Sequence, residues 1–160
     1  MPDPLLSGRS RLSANDAVAA IILVDDAGYL LQLRDSRADI WYPDHWGLFG
    51  GGIDPGEDPG AALARELREE LELELDGAEF FARIDFDLGG LQLGRYYRSY
   101  YVVQITGAAA ARLVLHEGAA MRVVPGPEAL TQLRVTPYDA FALFLHHAQA
   151  RLKPGGAEPG

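Results

Sequence analysis

The sequence predicts an α+β fold in which a mixed β-sheet lies between helices. Three observations point there. An unbroken apolar run, AVAAIILV (17–24), is followed after a turn by a returning YLLQLR (29–34). A glycine-rich turn then leads into one strongly amphipathic helix, and alternating segments after it give way to a terminal helical pattern. Strands separated by helical segments in this order form a sheet with helices packed on it.

Residues 1–15 are rich in Pro, Ser, Asp and Arg without periodicity and read as a loose arm. The folded domain is expected over 16–152, with 153–160 a Pro/Gly tail. The run 17–24 is apolar at every position, as expected of a strand covered on both faces. Asp25-Asp26-Ala27-Gly28 is a turn, and 29–34 completes a hairpin. The loop after it ends in Ile40-Trp41-Tyr42-Pro43-Asp44-His45-Trp46, directly before the glycines. Aromatic faces at Trp41 and Tyr42 are candidates to stack on a base, whereas Trp46 and Leu48 fit better beneath the sheet. His45 reads as a loop hydrogen-bonder. Gly47-Leu48-Phe49 reads as a short strand.

Asp58 suits an N-cap and Pro59 the first helical position, so a helix is expected from Pro59 to Leu71. Leu63, Leu67 and Leu71, with Ala64, form its apolar stripe, while Ala61, Arg68 and Glu72 face water. Glu66, Glu69 and Glu70 fall at i, i+3 and i+4, which at about 100° per residue places them on one face. Clustered carboxylates repel, and a hard divalent cation relieves that repulsion. A solvated acidic face is the simpler reading of three glutamates alone. Glu57, before the helix, and Arg65, two turns in, are spaced to clamp the glycine loop so that its backbone can approach a metal or phosphate.

Beyond the helix, Phe80, Ala82, Ile84, Phe86 and Leu88 alternate with Phe81, Arg83, Asp85 and Asp87. A long tyrosine-rich strand follows over 93–105. Arg95, Tyr97, Ser99 and Tyr101 share one of its faces; Tyr96, Arg98, Tyr100 and Val102 share the other. Arg95, Arg98 and Tyr97 are candidates to hold a phosphate and a base, but the strand reads equally as cross-strand pairs or a homodimer contact. A small-residue linker or short helix (107–111) precedes His116-Glu117-Gly118, where Glu117 is the foremost carboxylate outside the helix. A helical turn spans 127–133. Thr136, with Asp139 three residues on, caps a last helix reaching about Leu152, with Tyr138, Phe141, Leu145 and Leu152 on its inner stripe and His146 and His147 on its rim.

The chain has 160 residues, enough for one domain with a proper core, and 48% are hydrophobic. Its net charge of −9 argues against general nucleic-acid or acidic-membrane binding, though not against a nucleotide carried with a metal ion. With no cysteine, disulfides and thiolate chemistry are excluded. No signal-like segment or membrane-length apolar run is present, so a cytoplasmic protein is expected.

Gly51, Glu57 and the run Arg65-Glu66-Leu67-Arg68-Glu69-Glu70 together resemble the signature of the Nudix hydrolases, the MutT-like pyrophosphohydrolases. The resemblance covers the 23 positions 51–73, with every charged position present. It implies an α/β/α sandwich and Mg²⁺- or Mn²⁺-dependent hydrolysis of a nucleoside diphosphate linked to another moiety, such as a nucleoside triphosphate or a nucleotide sugar. It implies that the Gly51 carbonyl, Glu66, Glu69 and Glu70 coordinate metal, with Glu117 as an added ligand or base. It leaves open that Glu66 or Glu69 serves instead as the base, and it implies that Glu57 and Arg65 position the loop. In such enzymes the metal holds the diphosphate and lowers the pKa of a bound water. One position departs from the pattern: Glu72 stands where the family has glycine. Either Glu72 takes a left-handed conformation, at roughly 1 kcal/mol, or the helix runs on. Other readings are a Nudix-like sensor that binds nucleotides without cleaving them, an acidic interaction module, and a prenyl diphosphate isomerase, for which the missing cysteine is unfavourable.

Overall fold

The computed structural model describes residues 17–87, 90, 92 and 95–152. The expected arm (1–15), the tail (153–160), Leu88 and Leu93 lie outside these residues. Seven strands and five helices alternate along the described chain: β1 (Ala17–Val24), β2 (Gly28–Leu33), β3 (Trp46–Gly47), β4 (Phe49–Gly52), α1 (Pro59–Leu71), β5 (Glu79–Asp87), β6 (Arg95–Ile105), α2 (Gly107–Ala110), β7 (Ala120–Val124), α3 (Gly126–Thr131), α4 (Pro137–His147) and α5 (Gln149–Leu152).

The strands form one mixed sheet in the order β3-β2-β1-β6-β5. β6 runs parallel to β1 from Val18↔Ser99 to Val24↔Ile105. The other edge of β1 is divided: Leu23 and Val24 pair with Tyr29 and Gly28 of β2, whereas Ala17 to Ala20 pair with Gly52 to Phe49 of β4. β7 continues the sheet on β2, antiparallel, with Leu30 opposite Val123.

The unbroken apolar run of β1 has the reason expected of it. Ala19 and Ile21 enter a core with Leu31, Leu48, Tyr100, Tyr138 and Leu143, on the α4 side. Val18, Ala20 and Ile22 enter a second core with Phe49, Leu63, Leu67, Leu71 and Val103, on the α1 side. Strand alternation thus supplies both faces of an α/β/α sandwich from one segment.

Several local expectations are corrected. In α1 the fourth apolar contact is the fully buried Ala62, with Ala64 only half-buried. In β5 a bulge at Phe81 shifts the register, so that Phe80 pairs with Tyr101 and Ala82 with Tyr100. Phe81, Ile84 and Phe86 therefore pack together on the α4 side, which simple alternation would not allow. The last helix breaks at Ala148, and its inner face is Tyr138, Asp139, Ala142, Leu143 and His146, while Phe141 and Leu152 are exposed. His146 is buried, and its Nδ1 shares a hydrogen bond of 2.8 Å with the hydroxyl of Tyr29, from the other end of the chain. Thr136 occupies the N-cap, but its hydroxyl donates to Asp139 Oδ2 (3.0 Å) instead of accepting from the backbone.

Candidate active site

The site begins where β4 ends. Asp58 caps α1 by accepting from the N–H groups of Gly60 and Ala61 at 3.0 and 3.2 Å. Arg65 reaches back over the loop. Its Nε and Nη2 donate to Glu57 Oε1 and Oε2, both at 2.9 Å, and Nη2 also donates to the Gly52 carbonyl at 2.9 Å. The Asp54 N–H closes the loop on Glu57 Oε2 at 2.9 Å. The Arg65 fork, helped by that N–H, holds the Glu57 carboxyl down at about 2, and Glu57 and Glu66 raise the guanidinium in turn. The expected clamp is present.

The acidic residues of α1 divide. Glu70 is 4% exposed, and the Gly50 N–H donates to its Oε2 at 3.0 Å. Burial, the facing charge of Glu117 and that of Glu66 push its carboxyl up to about 8 against the pull of Gly50 and Arg98. Glu66, its side chain 15% exposed, accepts from Arg65 Nη1 at 2.6 Å. Burial raises it despite that contact, and Glu69 and Glu117 add to the rise. Glu69 is 62% exposed and 3.8 Å from Arg65 Nη1. The shared face expected of the three glutamates is therefore split: i and i+4 turn inward, and i+3 stays on the rim.

Glu117 comes from the loop before β7, yet its charge reaches both Glu66 and Glu70. The structure thus brings together a pair from α1 and one carboxylate 47 residues beyond it in the chain. A cavity of about 320 Å³ opens beside Glu117, lined by Gln32, Arg34, Asp35, Arg37, Ile40, His116 and Gly118.

Gly51 is where the Glu66 carboxylate meets β4. A Cβ there would stand 2.6 Å from the Glu66 carboxyl carbon and Oε2, so only glycine leaves that carboxylate its place against β4. Around it are oxygen donors of like charge, the set that Mg²⁺ and Mn²⁺ prefer. Among the described residues no three acidic or histidine side chains are arranged closely enough to hold a metal ion by themselves. Mg²⁺ keeps waters and takes substrate phosphates into its shell, so it needs fewer protein donors.

Of the candidate substrate residues, Trp41, Tyr42 and Arg98 gather around Tyr138, whereas Tyr97 lies apart from that cluster. Trp41 and Tyr42 are half-buried against the α4-side core, with the Tyr42 ring 5.8 Å from that of Tyr138. Arg34 Nε donates to the Trp41 carbonyl at 2.7 Å, which ties this loop to the cavity. Trp46 packs on the same core beneath Arg122, and His45 donates to the Pro43 carbonyl at 2.8 Å, both as expected. Arg98 sits under α4, its guanidinium 4.6 Å over the Tyr138 ring and 3.7 Å from Asp139 Oδ1. Arg83 lies 5.1 Å over the Tyr97 ring. The side chain of Arg95 lies outside the described residues.

Sequence reasoning missed Gln32 and Arg34, and gave Asp139 a part only in the cap of the last helix. Asp139 is buried and accepts from Leu48 N–H at 2.9 Å, so it fixes the segment between β3 and β4. A charged residue inside an otherwise apolar helix stripe was the available signal. For Gln32 and Arg34, at the end of an apolar strand, there was none.

The NUDIX domain profile matches residues 14–152. An RNA pyrophosphohydrolase of Pseudomonas putida is 46% identical over 63 residues, 39% of this chain and 36% of that protein. The nucleoside triphosphatase NudI of Escherichia coli is 45% identical over 51 residues, 31% of this chain and 35% of that protein. The chain thus spans about a third of the length of these curated relatives. Among solved structures, the Escherichia coli ORF135 protein superposes with a TM-score of 0.69 at 29% identity, covering 91% of this chain and 96% of its own. With most of its length matched by that profile, the chain belongs to the NUDIX domain family.

Proposed function

We propose that the protein is a divalent-metal-dependent pyrophosphohydrolase. It opens a phosphoanhydride bond in a nucleoside diphosphate joined to another moiety, with nucleoside triphosphates and nucleotide sugars as the substrate classes. The observation that carries this reading is the fit of Glu66 against Gly51 beside a buried Glu70. Two acidic groups raised by burial, one of them already contacted by Arg65, gain from a divalent cation as well.

Glu66, Glu70 and Glu117, with the Gly51 backbone, would hold Mg²⁺ or Mn²⁺, and Glu69 would join from the rim. When bound, the ion neutralises charge on the diphosphate and acidifies a coordinated water. The chain's own residues do the rest. Arg65 and Glu57 keep the glycine loop in register, so the phosphates meet backbone and not side chains. Glu66 or Glu69 accepts the proton of the attacking water. Arg34 and Arg37 line the cavity next to Glu117 and favour the anionic remainder of the substrate.

The decisive experiment is a screen of nucleoside triphosphates, nucleotide sugars, dinucleoside polyphosphates and ADP-ribose, with the nucleotide and phosphorylated products separated and followed with and without Mg²⁺. RNA joins the screen because the Pseudomonas relatives are named for it. Metal-dependent release from one class is expected. Binding without release would favour the sensor reading, and neither binding nor metal uptake would favour an interaction module.

A further inference from the structure

We propose that Glu72 and His116 form a latch that positions Glu117 against the carboxylates of α1. Glu72 is a positioning residue, and the inference rests on the metal site proposed above.

Glu72 stands at φ 55°, ψ 29°, in the left-handed region that glycine occupies without strain. The helix does end there: the N–H groups of Glu72 and Leu73 take the carbonyls of Arg68 and Leu67 at 3.0 and 3.2 Å. Glycine would make those bonds equally well. What it lacks is a carboxylate, and Glu72 Oε1 accepts from His116 Nε2 at 2.7 Å.

That contact is placed where it affects Glu117. The segment before Glu117 is stitched to the end of α1, with Val114 N–H donating to the Leu71 carbonyl (3.2 Å) and His116 N–H to the Glu70 carbonyl (2.9 Å). The segment after it is stitched to β2. Gly118 has φ 90°, a Cβ there would meet the Leu33 carbonyl at 2.9 Å, and Ala119 N–H donates to that carbonyl at 2.8 Å. Glu117 is therefore the bridging residue between helix and sheet, and its charge acts on Glu66 and Glu70. The His116 side chain is the handle on the helix side, and Glu72 is what it holds. A single departure from the glycine of the Nudix pattern thus trades backbone ease for alignment of a distal ligand.

Mn²⁺ titration of the full chain without substrate, read by electron paramagnetic resonance together with Tm, tests this. Glu72→Gly should hold or raise Tm, because glycine relieves the left-handed residue, yet weaken Mn²⁺ binding roughly threefold to tenfold. Glu72→Gln, which can still accept from His116, should restore most of the affinity. In a Glu117→Gln background, Glu72→Gly should have no further effect, since the latch acts only through Glu117. Unchanged Mn²⁺ affinity in Glu72→Gly, or an equal loss in both backgrounds, would overturn the latch. No Mn²⁺ binding by the unsubstituted protein would overturn the metal site itself, and the latch with it.

Discussion

Arg65 grips Glu57 through two parallel hydrogen bonds of 2.9 Å, eight residues apart in the chain and on either side of a helix start. Lysine cannot reproduce that fork and still reach the Gly52 carbonyl. Arg65→Lys should therefore lower kcat/KM about tenfold to a hundredfold with little change in Tm, measured by steady-state kinetics and thermal melts.

The same pair predicts an acid limb. Glu57 is held at about 2, below its ordinary 4.5. Its contribution to stability is present above 4.5 and is lost as pH falls towards 2. Stability against urea should differ between the protein and Glu57→Gln at pH 6, and the gap should close as pH approaches 2.

Glu70 carries the opposite sign. Its carboxyl is raised to about 8, so its contribution is full below 4.5 and is lost as pH rises through about 8. In metal-free protein, Glu70→Gln should be the more stable by on the order of 3 kcal/mol at pH 9, with the two converging near pH 4. Mn²⁺ affinity of the unsubstituted protein should rise through the same interval, because ligation displaces the proton. Turnover should fall at least about a hundredfold in Glu70→Gln. Unchanged turnover would remove Glu70 from the site.

Two neighbouring glycines should fail differently. A Cβ on Gly50, at φ 142°, would lie 2.1 Å from the Val18 carbonyl oxygen, inside the β1–β4 ladder. Gly50→Ala should cost about 3 kcal/mol or more. A Cβ on Gly51 would meet only the movable end of Glu66, at 2.6 Å. Gly51→Ala should keep stability within about 1 kcal/mol yet lose activity and metal affinity together. Denaturant unfolding and calorimetry distinguish these outcomes.

The signature was legible because its geometry is local. A helix repeats every few residues, so Glu57 against Arg65 and Asp58 as a cap follow from spacing. The doubly apolar β1 announced a sheet covered on both faces. Features that depend on distant partners were not legible. Nothing near His146 marks it as the hydrogen-bond partner of Tyr29, 117 residues earlier. The extra residue at Phe81 leaves no trace in an alternating pattern. β7 was not anticipated as a strand, because its pairing with β2 is remote in sequence. Glu117 was singled out through the family resemblance, but its place opposite Glu66 and Glu70 depends on loop contacts.

One edge of the central strand is divided, with β2 on its closing residues and β4 on its opening ones. Glu70 is held at the second arm of this fork through Gly50, and much of the lining of the neighbouring cavity belongs to the first. A molecule long enough to touch both would act as a staple across the fork, adding to the links that β1, β3 and the Gln32–Leu48 contact already make between its arms. An elongated ligand would then rigidify the protein more than a compact one of equal charge.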